Sequence, residues 1–236
     1  MTNVVVPGYR RDPGGTHPPL ASPGYGSTVL RAPSQAPVLL PHSLTEITGP
    51  VLGEGRVLAT DHDLTTQHDG EPLGERIIVH GRVLDSDGRA VPDTLVELWQ
   101  ANSAGRYSHV RDQHPAPLDP NFTGVGRCLT DSAGHYRFVT IKPGAYPWRN
   151  HENAWRATHI HFSLFGRAFV QRLVTQMYFP GDPLFYQDPI YNAVPAAARS
   201  RMISSFDLSE TVPEWALAFE FDIVLRGRDQ TPMESS

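Results

Sequence analysis

The stretch Trp155-Arg156-Ala157-Thr158-His159-Ile160-His161-Phe162-Ser163 decides how the rest of the chain is read. Successive side chains on a β-strand point to opposite faces, so every second residue shares a side. As a strand, this stretch sends His159 and His161 to one face and Ile160 and Phe162 to the other. That division marks a sheet with one side in a core. Two imidazoles side by side on a rigid strand can grip a single metal ion. A bare His-x-His is more often two ordinary histidines on a polar sheet face, so the surrounding sequence has to carry the metal reading.

Outward from this stretch, strand patterns recur. Arg76–Leu84, Thr94–Trp99, His135–Ile141, Ala157–Phe165 and Arg172–Phe179 read as strands. The turns Asp85-Ser86-Asp87-Gly88, Asp131-Ser132-Ala133-Gly134 and Pro180-Gly181-Asp182-Pro183 punctuate them. Trp215–Leu225 is expected as a last strand, with Leu217, Phe219, Phe221, Ile223 and Leu225 forming its apolar face. Ala196–Phe206 is the best short helix. The chain holds 20 Gly and 22 Pro, many for a helical protein, and shows neither a repeat array nor an alternating strand–helix series. The fold class is therefore all-β: an antiparallel β-sandwich with long loops, a few short helices and an extended N-terminal segment. Residues 1–50, rich in Pro, Gly and Ser, form that segment and are expected to pack on a partner subunit; 51–236 form the sandwich domain. The proline-rich loop Val110–Gly126 is long enough to suggest function.

Composition excludes several classes. A net charge of −5 gives no basic surface for nucleic acid or anionic membranes. No apolar run approaches the ~20 residues that span a bilayer. The apolar patch Val4-Val5-Val6 is too short for a signal-peptide core, so a cytoplasmic protein is expected. Cys128 is the single cysteine, which rules out an internal disulfide and thiolate-rich metal sites; it reads as a small buried hydrophobe. Asp61-His62-Asp63 invites a metal reading, but its flanks suggest a loop with structural or capping roles.

Partners for His159 and His161 must come from elsewhere. A zinc site would want another His, Cys or carboxylate. The non-haem Fe(II) triad wants a nearby acid, and the residues around the histidines are Arg156, Thr158 and Ser163. Tyr107, in Gly105-Arg106-Tyr107-Ser108, and Tyr146, in Gly144-Ala145-Tyr146-Pro147-Trp148, stand just after strands, where a rigid scaffold can aim a side chain into a cleft. A phenolate is a hard anionic oxygen that suits Fe(III), and a bound cation can drive off its proton despite a free pKa of about 10. By residue type alone, each tyrosine is more simply a packing residue.

The stretches LVELWQANSAGRY, PLDPNFTGVGRCLTD, IKPGAYPWRN and WRATHIHFS, in this order and spacing, resemble the intradiol ring-cleavage dioxygenases. GERIIVHGRVLD, DHDL, Thr175-Gln176-Met177-Tyr178-Phe179 and FDIVLRG extend the likeness over about residues 20 to 228. The chain is most similar to the iron-binding β chains of that family. The resemblance implies one non-haem Fe(III) per chain, held by Tyr107, Tyr146, His159 and His161, with Tyr107 and His159 equatorial and Tyr146 and His161 axial. It implies cleavage of protocatechuate (3,4-dihydroxybenzoate) by O2 between its two hydroxyl-bearing carbons, in aromatic-compound catabolism. It gives Tyr146 a second role as a proton acceptor and makes Arg156 a fixed cation that stabilises the carbanion-like substrate. Trp148, Ile190 and Gln176 become pocket residues, and Tyr25 matches a tyrosine near the substrate carboxylate. It also implies an α subunit of related fold, lacking the iron ligands, in a large αβ oligomer. A catechol or hydroxyquinol enzyme is the alternative; those usually carry a helical N-terminal region, which the proline-rich residues 1–50 do not resemble. A non-catalytic β-sandwich binding module is the alternative from another class.

Overall fold

The computed structural model describes residues 15–18, 57–149, 151–165 and 172–234. Tyr25 and nearly all of the N-terminal segment lie outside the described residues. The chain forms β1 (Arg76–Leu84), β2 (Leu95–Trp99), β3 (Val125–Leu129), β4 (His135–Ile141), β5 (Tyr146–Trp148), β6 (Ala154–Arg156), β7 (His159–Phe165) and β8 (Arg172–Tyr178). A 3₁₀ turn (Phe185–Gln187), the short helix α1 (Pro189–Ala193) and a second 3₁₀ segment (Ala196–Met202) follow, before β9 (Ser205–Val212), β10 (Ala216–Glu220) and β11 (Ile223–Val224). Among the described residues no helix is long and apolar enough to cross a membrane.

Two sheets make the expected sandwich. One has the order β3-β2-β7-β8, antiparallel throughout. In the other, β4 pairs antiparallel with one edge of β1, while β10 and β11 run parallel to the other edge. This mixed pairing refines the antiparallel expectation. β9 closes that sheet beyond β10. The core lies between the sheets. Ile77, Val79 and Val83 of β1, Tyr136 and Phe138 of β4, Phe219 and Ile223 face Val96 and Leu98 of β2 and Ile160, Phe162 and Leu164 of β7. Burial of each such side chain contributes roughly 1.5–3 kcal/mol. With Ile160, Phe162 and Leu164 committed inward, strand alternation turns His159 and His161 onto the outer face of β7.

Three expectations are corrected. Ala196–Phe206 is not one helix: residues 196–202 wind as 3₁₀, and Ser205 onward belongs to β9. The expected last strand is broken into β10 and β11. At the break, the Phe221 carbonyl accepts a 2.5 Å hydrogen bond from the Tyr136 hydroxyl and lies where a Cβ on Gly81 would stand, so only glycine fits there. Leu217 pairs with Ile77 on the same side of the sheet as Phe219 but does not join the buried cluster, and it is 40% exposed.

Candidate active site

The site is assembled on the outer face of the β3-β2-β7-β8 sheet. Cross-strand register sets Trp99, His161 and Gln176 in one row and His159 beside Tyr178 in the next. Trp99 stacks on His161 with ring centroids 4.7 Å apart and planes at 9°, fixing that imidazole from the side. His159 is buried and its ring lies 4.9 Å from that of His161.

Two loops bring in the tyrosines. Tyr107 follows a tight turn built on Asn102, whose Oδ1 accepts from the amides of Ala104 and Arg106 at 3.0 and 2.9 Å. The Tyr107 amide donates to Asp112 Oδ2 at 2.8 Å. Tyr146 opens β5, just after Gly144, whose amide donates to the Asn102 carbonyl at 2.9 Å. A Cβ on Gly144 would run into the backbone carbonyl of Ser103 and stand 2.6 Å from the Gly105 amide nitrogen. Glycine at this point therefore lets the two tyrosine-bearing loops touch backbone to backbone.

The four side chains converge. The Tyr107 hydroxyl lies 3.0 Å from Nε2 of His161 and 3.4 Å from Nε2 of His159. The Tyr107 and Tyr146 rings meet edge to face at 5.7 Å, and Tyr146 lies 5.7 Å from His159. The outer nitrogen of each imidazole is already committed. Nδ1 of His159 donates to the Ala157 carbonyl at 2.6 Å, and Nδ1 of His161 to Glu234 Oε2 at 2.8 Å. Both partners offer only acceptor oxygens there, so each Nδ1 carries the proton and each Nε2 turns a lone pair inward. Burial, then the neighbouring Arg156 charge, holds His159 well below the usual imidazole range, so it is neutral. Burial pushes both phenols above their ordinary range, with Tyr146 adding to the effect at Tyr107. Without a cation the tyrosines stay protonated. The donor set is two imidazoles and two phenols that a hard, highly charged ion could ionise. Among the described residues no group of three or more His, Cys, Asp or Glu is gathered to hold a metal.

Arg156 lies beside this cluster, 3% exposed. Its Nε donates to both oxygens of Asp188, at 3.2 and 3.1 Å, and its Nη2 to Gln176 Oε1 at 2.5 Å. Trp148 lies under the guanidinium, 5.3 Å from ring centroid to Cζ. Burial opposes the charge, but Asp188 and the surrounding tyrosines outweigh it and hold Arg156 above its usual range. Ile190 sits on α1, whose N-terminus Asp188 caps by accepting from the amides of Ile190 and Tyr191. The structure thus gathers Tyr107, Tyr146, His159, His161, Arg156, Trp148 and Gln176 and sets Ile190 two residues beyond Asp188, while Tyr25 lies outside the described residues. Asp61 stands apart, paired with Arg127 at 2.7 Å. Cys128 is half-buried, and burial pushes its thiol up to about 12.

Sequence reasoning did not assign site roles to Trp99, Tyr178, Asp188 or Glu234. For Trp99 and Tyr178 the strand period was the available signal, since both lie on the histidines' face. Asp188 and Glu234 reach the site from 32 and 73 residues beyond their partners, with no local pattern to point to them.

A family model described as "Dioxygenase" matches residues 47–227, and one described as "Protocatechuate 3,4-dioxygenase beta subunit N terminal" matches residues 9–43. The chain is 60% identical to the protocatechuate 3,4-dioxygenase beta chain of Burkholderia cepacia, over 93% of this chain and 94% of that one. It is 31% identical to the corresponding alpha chain of the same organism, over 67% of this chain and 76% of that one. Among solved structures, 3-chlorocatechol 1,2-dioxygenase from Rhodococcus opacus superposes with a TM-score of 0.54 at 26% identity, covering 77% of this chain and 72% of that one.

Proposed function

The chain belongs to the intradiol ring-cleavage dioxygenase family, and from that premise we propose that it is the iron-binding β subunit of a protocatechuate 3,4-dioxygenase. The reaction adds one O2 to protocatechuate, and its two oxygen atoms end one in each of the two new carboxyl groups of 3-carboxy-cis,cis-muconate, whose third carboxyl is the one the substrate already carried. One observation carries the reading. Two phenol oxygens and two imidazole lone pairs converge, and both outer imidazole nitrogens are already used. We take Tyr107, Tyr146, His159 and His161 as the ligands of one Fe(III) per chain. Bound there, the ferric ion would supply a Lewis-acidic centre that binds both hydroxyl oxygens of a catechol and draws electron density from the ring.

The chain's own groups do the rest. The imidazoles, each held by an acceptor at Nδ1, present Nε2 to the ion. Tyr146, once ionised, is the base placed to take a hydroxyl proton from the incoming catechol. Arg156 is fixed by Asp188 and Gln176, so its charge needs no rearrangement to stabilise electron density building on the ring. Trp148 backs the guanidinium and walls the same cleft.

The match of residues 9–43 to a beta-subunit N-terminal family supports reading residues 1–50 as a segment that packs on a partner. The likeness to an alpha chain supports an α partner of related fold in an αβ oligomer. A lone cysteine suits a reducing compartment, and we place the enzyme in the cytoplasm.

The test is a visible spectrum of the protein co-expressed with its α partner, before and after anaerobic protocatechuate. A tyrosinate-to-Fe(III) charge-transfer band that shifts on adding substrate is expected. A colourless protein with stoichiometric iron by metal analysis would remove the tyrosines from the ligand set and overturn the reading.

A further inference from the structure

The C-terminal segment crosses the sheet edge and delivers one carboxylate to the back of the candidate metal site. Its path is held by hydrogen bonds along its length. Thr231 N donates to Val224 O at 2.9 Å, Thr175 Oγ1 to Pro232 O at 2.7 Å, and Glu234 N to Val174 O at 2.9 Å. From the far side, Met233 N donates to Nδ1 of His17 at 3.0 Å. The segment therefore lies as an added strap beside β8, with Glu234 facing the row that holds His161 and Gln176.

Glu234 Oε2 accepts two hydrogen bonds, both at 2.8 Å: one from Nδ1 of His161 and one from Nε2 of Gln176. The second bond fixes the amide of Gln176. With its nitrogen on Glu234, its oxygen must face the other way, where it accepts from Nη2 of Arg156 at 2.5 Å and from the Tyr178 hydroxyl at 2.7 Å. One carboxylate oxygen thus sets a histidine tautomer on one side and, through a single amide, the acceptor that holds a buried cation on the other. A flipped Gln176 would present its amine to the guanidinium.

We propose that Glu234 is a positioning residue of the centre: it holds His161 with Nε2 free for the metal, and it orients Gln176 so that Arg156 stays aimed at the substrate. The inference rests on the ferric site proposed above. A metal-ligating histidine gains orientation and basicity from a carboxylate on its other nitrogen, and loss of such a partner typically costs 10- to 100-fold in metal affinity.

The test has two arms, both on the co-expressed complex. In the first, the metal-free complex labelled with ¹⁵N-histidine is studied by solid-state NMR, with His161 assigned by difference against His161→Gln. The proton is expected on Nδ1 in the wild type and in Glu234→Gln, whose amide oxygen can accept the same bonds. A wild-type His161 protonated on Nε2 overturns the proposal whether or not any variant folds. In the second arm, iron retention is measured by chelator competition. Glu234→Ala is expected to release iron 10- to 100-fold more readily and to shift the charge-transfer band, with Glu234→Gln close to wild type. Thr175→Val, which loosens the strap at Pro232 without touching the carboxylate, is expected to lower thermal stability and leave the band in place. Unchanged iron retention and an unchanged band in Glu234→Ala would overturn the proposal. A wild-type complex that takes up no iron would instead overturn the ferric reading, and the tautomer arm would still decide whether Glu234 sets His161.

Discussion

Arg156 and Asp188 form an ion pair at 3.1 Å with side chains 3% and 0% exposed. Asp188 is fully used: besides the guanidinium it accepts from the amides of Ala157, Ile190 and Tyr191. A buried pair gains little net stability over an apolar replacement, because desolvating two charges costs about as much as their attraction returns. Its value here is placement. The carboxylate ties the end of β6 to the start of α1 and points the cation toward the tyrosines.

Asp188→Ala leaves the Arg156 charge buried and uncompensated and strips the cap from α1. The expected cost is about 3–5 kcal/mol in unfolding free energy, read from denaturant titration of the complex. A loss below about 1 kcal/mol would mean that Arg156 finds other partners and that Asp188 is not what holds it.

Arg156→Ala separates the chemistry from the metal ligands, although it leaves Asp188 buried without its cation and is expected to cost about 3–5 kcal/mol in stability. Asp188 keeps its three backbone donors, so the helix cap survives, and none of the four proposed ligands bonds Arg156 directly. Iron content and the resting visible band are expected to persist, while ring cleavage falls about 10²- to 10³-fold, the usual effect of removing one fixed electrostatic stabiliser. Turnover measured by O2 uptake at saturating protocatechuate checks it; full activity with intact iron would sink the proposed role.

What the sequence disclosed follows the range of each interaction. His159 and His161 were legible because strand period is local, and alternation with Ile160 and Phe162 leaves them one face. Tyr107 and Tyr146 were visible only through family likeness, since residue type alone does not tell a ligand from a packing tyrosine. Alternation set Leu217 on the right face, in register with Ile77, but its 40% exposure depends on what covers that end of β10, which strand period does not encode. The stretch from Ala196 was read as a helix running into Phe206, yet it winds as 3₁₀ and gives way to a strand paired with β10, a partner that no local propensity encodes. Glu234 and Asp188 were missed for the same reason: each acts across a long loop of chain, and only the folded topology brings it to the site.

Asp61 carries a pH signature outside the site. The hydrogen bond from Arg127 holds its carboxyl below the usual range, and the Leu58 amide adds to the effect. A depressed folded pKa contributes stability above the unfolded value, about 3.9, and loses it as pH falls through the folded one. Arg127 is 44% exposed, so the pair is solvent-screened and worth about 0.2–1 kcal/mol. The gap in unfolding free energy between wild type and Asp61→Asn is expected to be flat from pH 8 to about 5 and to close below about 4. A gap that widened on acidification would reverse the assigned sign.

Gly144→Ala tests whether contact between the two tyrosine loops builds the centre. The new methyl group would occupy the space of the Ser103 carbonyl and the Gly105 amide, both backbone atoms that cannot rotate away. The loops must part, at about 1–3 kcal/mol for overpacking of this kind. Tyr146 lies two residues on and Tyr107 two beyond Gly105, so the parting moves the phenols relative to each other and to the histidines, whose positions β7 fixes independently. The expected result is a normal β-sheet circular dichroism spectrum, a modest fall in melting temperature, and a marked loss of both iron per chain and charge-transfer intensity. Lost stability with full iron and an unchanged band would show that the loops can separate without disturbing the tyrosines. The register of the site would then rest on Asn102 and Asp112 rather than on the glycine contact.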